Sequence, residues 1–214
     1  MNYVSDDGHV RVAPVPRYAV QSLSLGLVAT LLSAVLGAAF FSVGGVFGPL
    51  SDLAALATGV ALLPLVWALS VRDRSVTPRW SRAGVAVGSA GFGLVALGSA
   101  GLLVTDIGLV SGFGVPALAV QFLGYGLVGV WLLLLGGVAL RTGRLPRRVA
   151  WAGIVGGLGY ASFPVGTVTV GFGAPILYLG MGAALAGFTL WAVWLWTFLR
   201  SVPTEDGTPG VSPA

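Results

Sequence analysis

The sequence predicts an all-α, polytopic membrane protein: six transmembrane helices, built as three repeated helical hairpins, with both termini cytoplasmic. Three observations predict it. The 214 residues are 56% apolar and only 8% charged, with a mean hydropathy of +0.94, whereas a soluble domain is about 25% charged. The 11 lysine-or-arginine positions are all arginine, and they lie in four places: the tail (Arg11, Arg17), two linkers (Arg72 to Arg82, Arg141 to Arg148) and Arg200. The three apolar stretches between them hold no basic residue. Each is long enough to cross a bilayer twice, since one span needs about 20 residues.

Residues 1–17 form a polar cytoplasmic tail containing Asp6, Asp7 and His9. The first apolar run, 18–43, is longer than a signal-peptide core and lacks a cleavage site, so it reads as a retained helix. The second helix is expected at 51–71, with Pro49 before it and Ser51 and Asp52 as caps. Proline has no N–H, and the first turn of a helix leaves N–H groups unpaired in any case. The third helix, 80–105, follows Pro78-Arg79; the fourth, 116–140, starts on Pro116. The fifth, 149–170, follows Pro146-Arg147, and the sixth, 175–199, starts on Pro175. Pro64 and Pro164 fall within or near the end of apolar spans, where each removes a backbone hydrogen bond and is expected to kink its helix. Neighbouring helices then satisfy the freed carbonyls. Residues 201–214 form a Pro/Gly/Ser/Thr-rich tail whose composition predicts disorder. The transmembrane domain is therefore 18–200.

Orientation follows from charge. Both arginine-rich linkers lie on the same side as the termini, while the other three connections carry a single charge, Asp106. The positive-inside rule places the termini and the linkers in the cytoplasm and the chain in the cell (inner) membrane.

The hairpins, 17–72, 79–141 and 147–200, share a pattern that predicts internal repetition. Each opens with Pro-Arg (Pro16-Arg17, Pro78-Arg79, Pro146-Arg147) and continues with small residues four apart (Ser22/Gly26, Gly84/Gly88, Gly153/Gly157). Each then turns on Phe-Gly with a nearby proline (Phe47-Gly48-Pro49, Phe113-Gly114-Val115-Pro116, Phe172-Gly173-Ala174-Pro175) and closes on arginine. Small residues let helix backbones approach closely. The six are expected to pack the odd helices against one another or against even helices; docking a partner subunit or a second copy is the other use.

Polar residues within the apolar spans are few. Gln121, Tyr125, Tyr160 and Tyr178, with Asp106, Thr167 and Thr169, fall in the outer half of hairpins two and three. Gln121 and Tyr125 share a helical face. The four side chains are the candidate lining of a shallow ligand cavity; interhelical hydrogen bonds and interfacial tyrosines are the plainer reading. Trp67, Trp80, Trp151, Trp191, Trp194 and Trp196 cluster toward the arginine-rich side and read as an interfacial belt.

Composition also limits chemistry. Cysteine is absent, and the one histidine, His9, has no partners for a zinc site. No ionisable residue falls convincingly at mid-bilayer, where proton relays and ion-coupled transporters place them. Ser33, Ser89 and Ser99 lack a histidine or lysine base. No catalytic, cofactor or metal residue is expected, and the arginines beside apolar spans point to the bilayer and not to nucleic acid. The leading expectation is a non-enzymatic membrane protein acting by association. The alternative is a small-solute transporter or the substrate-binding membrane subunit of an uptake system.

Three two-helix repeats over residues 17–200, with arginine-flanked hairpins and outer prolines, resemble the HdeD-like family of prokaryotic membrane proteins and other six-helix families. The resemblance implies an inner-membrane protein linked to envelope or acid stress. It brings no catalytic residues.

Overall fold

The computed structural model describes residues 3–4, 10–11, 16–73, 77–169 and 175–202. Six long helices follow one another: α1 Arg17–Val43, α2 Phe47–Asp73, α3 Pro78–Asp106, α4 Gly114–Thr142, α5 Arg147–Thr169 and α6 Pro175–Ser201. All six are long and apolar enough to cross a membrane. Before them, β1 Tyr3–Val4 pairs antiparallel with β2 Val10–Arg11, so part of the expected tail holds a two-stranded ladder. His9, the outer turn at 171–174 and the tail from 203 lie outside the described residues.

Two helices start earlier than their prolines suggest. Pro49 and Pro116 are each the third residue of their helix, while Pro78 and Pro175 are the first. All four positions are compatible with a missing N–H, because the first four N–H groups of a helix have no intrahelical partner. The earlier start of α2 corrects one expectation. Ser51 and Asp52 are not caps; they lie inside the helix, in its second turn. Pro64 and Pro164 sit within continuous helices. Connections turn on glycines with positive φ: Gly44, Gly45, Gly108, Gly112 and Gly143. Gly143 is the left-handed cap of α4, and its N–H bonds Ala139 O at 2.9 Å.

The helices form a ring. Each packs along its chain neighbours, and α1 meets α6 over a shorter stretch. No other pair of helices approaches at backbone level among the described residues, the odd helices included. The small residues instead face even helices. A Cβ on Gly26 would overlap Leu62 of α2, and one on Gly88 would lie 2.8 Å from Trp131 Cδ1 of α4. One on Gly153 would lie 3.1 Å from Trp191 Cδ1 of α6, and one on Gly157 2.8 Å from Gly129 O of α4. Gly84 faces Ser70 Oγ of α2, and Ser22 Oγ donates to Ala61 O of the same helix. In each hairpin a bulky side chain of the even helix thus seats on a glycine of the odd one.

Side chains fill the middle of the ring. Trp131 and Trp191, each 1% exposed, meet edge to face at 5.7 Å and bridge α4 and α6 across the interior. Phe92 packs on Trp131 and Phe188 on Trp191. Trp191 is therefore a core residue and not part of an interfacial belt. It lies on the buried α6 stripe of Ala184, Phe188, Leu195 and Leu199, set by helical spacing. Trp67, Trp80 and Trp151 do face outward, each about half exposed. Arg200 stacks 3.9 Å over Trp196, and Arg148 lies 6.0 Å over Trp194, a favourable pairing of cation and ring. The outer surface carries large apolar side chains such as Leu25, Val28, Val35, Leu97 and Leu158. Lipid covers such a surface without penalty, whereas water would not.

Candidate functional site

The interior changes character toward the arginine-poor end of the ring. Above the tryptophans, Tyr125 of α4 stacks on Tyr160 of α5, with ring centroids 5.5 Å apart and planes at 19°. Phe163 completes the group at 5.5 Å from Tyr125 and 6.0 Å from Tyr160, and Phe188 closes on Tyr160 from α6. Tyr160 is 9% exposed. Tyr125 keeps partial exposure although it faces the core.

Gln121 lies one turn nearer the start of α4 than Tyr125. Its Nε2 donates to Ser99 Oγ at 2.8 Å, and Ser99 is fully buried. The backbones pass closely here: a Cβ on Gly98 would lie 2.5 Å from Gln121 N. Gln121 therefore ties α3 to α4, beside the tyrosines. The side chain of Tyr178 lies outside the described residues, so the structure brings together three of the four candidate lining residues.

A residue not foreseen as part of this site faces the same interior. Along α2 the positions Gly48, Ala55, Gly59, Leu62, Val66 and Leu69 form one buried stripe. Asp52 falls on that stripe, four residues after Gly48 and three before Ala55. It is half-buried where its stripe neighbours are buried. It makes no hydrogen bond or ion pair among the described residues. Asp106, at the end of α3, approaches the start of the stripe: a Cβ on Gly48 would lie 3.3 Å from Asp106 Oδ2. The signal in the sequence was the spacing of 48, 52, 55, 59 and 62. It was hidden because the helix start was placed at 51, which turned a core-facing acid into a cap.

Two further polar features are smaller. Ser89 Oγ and Thr189 Oγ1 are buried without hydrogen bonds, on different helices. A cavity of about 20 Å³ lies in the arginine-rich half, among Ser70, Thr77, Trp80, Ser81 and Trp131; it has room for about one water.

No family model, no curated protein and no solved structure matches the chain.

Proposed function

We propose that this protein is a non-enzymatic membrane protein that binds a small solute in the arginine-poor half of its helix ring, as a transporter or as the substrate-binding membrane subunit of an uptake system. One observation carries the reading: a half-buried acid on the core-facing stripe of α2 and two stacked phenols between α4 and α5 interrupt an otherwise apolar bundle. Intramembrane ionisable residues are rare and tend to mark solute paths, and a few polar groups in an apolar cavity are what orients a ligand. Both termini are placed in the cytoplasm and the site toward the outer leaflet of the cell membrane. The proposal includes a threefold repeat, supported by Leu62, Trp131 and Trp191 each seated on a glycine of the preceding helix.

Purification in mild detergent, followed by mass spectrometry of co-purifying small molecules and proteins, tests it. The expected result is a solute retained by the wild type and depleted in Tyr125→Phe at unchanged melting temperature. A solute retained equally by both proteins counts against the site.

Association in the membrane is the second reading, and one observation favours it. Only 17% of the apolar window of α1 is buried, against at least 39% in every other span. Past Thr30 no α1 residue is buried. Stoichiometric recovery of a membrane partner or a second copy, with no solute, would support this reading and the HdeD-like link to envelope or acid stress that accompanies it.

A further inference from the structure

We propose that the seam between α1 and α6 binds one anionic phospholipid of the leaflet on the arginine-rich side. Arg200 and Arg17 hold its phosphate, and its acyl chains lie along the groove between the two helices. The inference is independent of the solute site, which lies toward the other end of the ring.

The seam is where the ring is least closed. α1 and α6 approach over a shorter stretch than any other neighbouring pair. A side-chain hydrogen bond ties them: Trp196 Nε1 donates to Ser24 Oγ at 3.0 Å, and Ser24 Oγ donates in turn to Val20 O at 2.9 Å. Beyond this tie the seam is apolar. Val28 and Leu31 follow Ser24 by one and two turns on the same face of α1, and Val193 precedes Trp196 by one turn on α6. All three are exposed.

Toward the arginine-rich end the same faces carry charge. Arg200 lies one turn beyond Trp196 and stacks over its ring, 3.9 Å from the centroid. Arg17 lies two turns before Ser24 on the same face of α1. Both are exposed. Ser24 holds the indole N–H, so the ring that carries Arg200 is itself fixed. Stacking engages the face of a guanidinium, while its N–H donors lie in the plane and can grip a phosphate through two hydrogen bonds.

Charge balance identifies the ligand as an anion. The chain has 11 arginines, all at this end, and 7 acids. Two of the acids, Asp52 and Asp106, lie at the opposite helix ends. Five remain, so six positive charges stay in excess however the tails are arranged. Basic pockets between membrane helices take phospholipid headgroups. The exposed apolar strip beside the charges favours a phosphate that carries chains over a free one. A second copy in the same orientation would instead bring arginines against arginines.

Native mass spectrometry of the full chain, titrated in detergent with phosphatidylglycerol or phosphatidylcholine, tests the assignment. The wild type is expected to retain one phosphatidylglycerol in preference to phosphatidylcholine. An arginine near an anionic surface contributes about 1 kcal/mol, so Arg200→Gln and Arg17→Gln should each weaken this binding about fivefold. Both side chains are exposed, and unchanged melting without lipid checks that the fold is intact. Arg79→Gln removes the same charge from the start of α3, across the ring, and should leave binding unchanged. Equal affinity for the two lipids overturns the proposal, because no headgroup is then selected. Equal losses in Arg200→Gln and Arg79→Gln overturn it too, because they mean a diffuse basic surface. Displacement of the lipid by inorganic phosphate would make this a site for a free anion and would likewise overturn it.

Discussion

Asp52 and Gln121 are both polar residues on core-facing positions, and their surroundings give them opposite roles. Gln121 Nε2 has Ser99 Oγ at 2.8 Å; no hydrogen bond to Asp52 is made among the described residues. A satisfied amide between two membrane helices contributes about 0.6 kcal/mol on average. Gln121→Ala should therefore lower the melting temperature slightly and leave solute retention intact; a loss of retention with unchanged melting would give Gln121 a ligand-contacting role instead. Asp52 should behave in the reverse way. Replacing an unpaired buried polar group with an apolar one removes a penalty of about 1–3 kcal/mol. Asp52→Leu should raise the detergent melting temperature while lowering solute retention. A lower melting temperature would mean that the carboxylate supports the fold.

At the scale of helices, close approach is the organising fact. Gly129 and Gly157 bring α4 and α5 together: a Cβ on Gly129 would lie 2.5 Å from Ala161 N and 2.6 Å from Gly157 O. These contacts are to backbone, which cannot move aside, so Gly129→Leu should prevent stable folding. Gly88 meets the side chains of Trp131 and Val66 at 2.8 Å. Gly88→Leu should cost about 1–3 kcal/mol, the usual range for overpacking, and depress thermal stability in detergent. Equal melting of Gly88→Leu and wild type would contradict the seating of Trp131. Between α1 and α2 the contacts are more polar. Ser33 Oγ donates to Ser51 O at 3.1 Å and Ser51 Oγ to Ser33 O at 3.0 Å, and Thr30 bonds Thr58 at 3.4 Å. These hydroxyls hold the exposed half of α1 to the ring, where few large side chains interlock.

For the whole molecule, the arrangement is a ring plugged by tryptophans in its middle and opening on polar groups toward one end. Topology decides which side of the membrane that end faces. On the cysteine-free background, an impermeant thiol reagent applied to intact cells should modify Ser111→Cys. It should spare Ser5→Cys and Ser201→Cys. Labelling of both termini but not of Ser111→Cys would invert the molecule and turn the Asp52 site toward the cytoplasm.

Helix number and approximate limits were determined by the sequence, because hydropathy and arginine placement act locally: each span must be apolar over its own length, whatever its neighbours do. The partners of the small residues were not. Gly26, Gly88 and Gly157 stood out as packing positions, but spacing says which residues share a face and not what that face meets. The ring order, in which odd helices approach only even ones at backbone level among the described residues, comes from three-dimensional packing. Trp191 shows the same division. Its nearness to arginines suggested the interface, and only the fold placed it against Trp131 in the core. Asp52 depended on both levels. Its place on the α2 stripe is written in the sequence, but that the stripe faces the core was decided by the fold, which buries Ala55, Leu62 and Val66 on the same side.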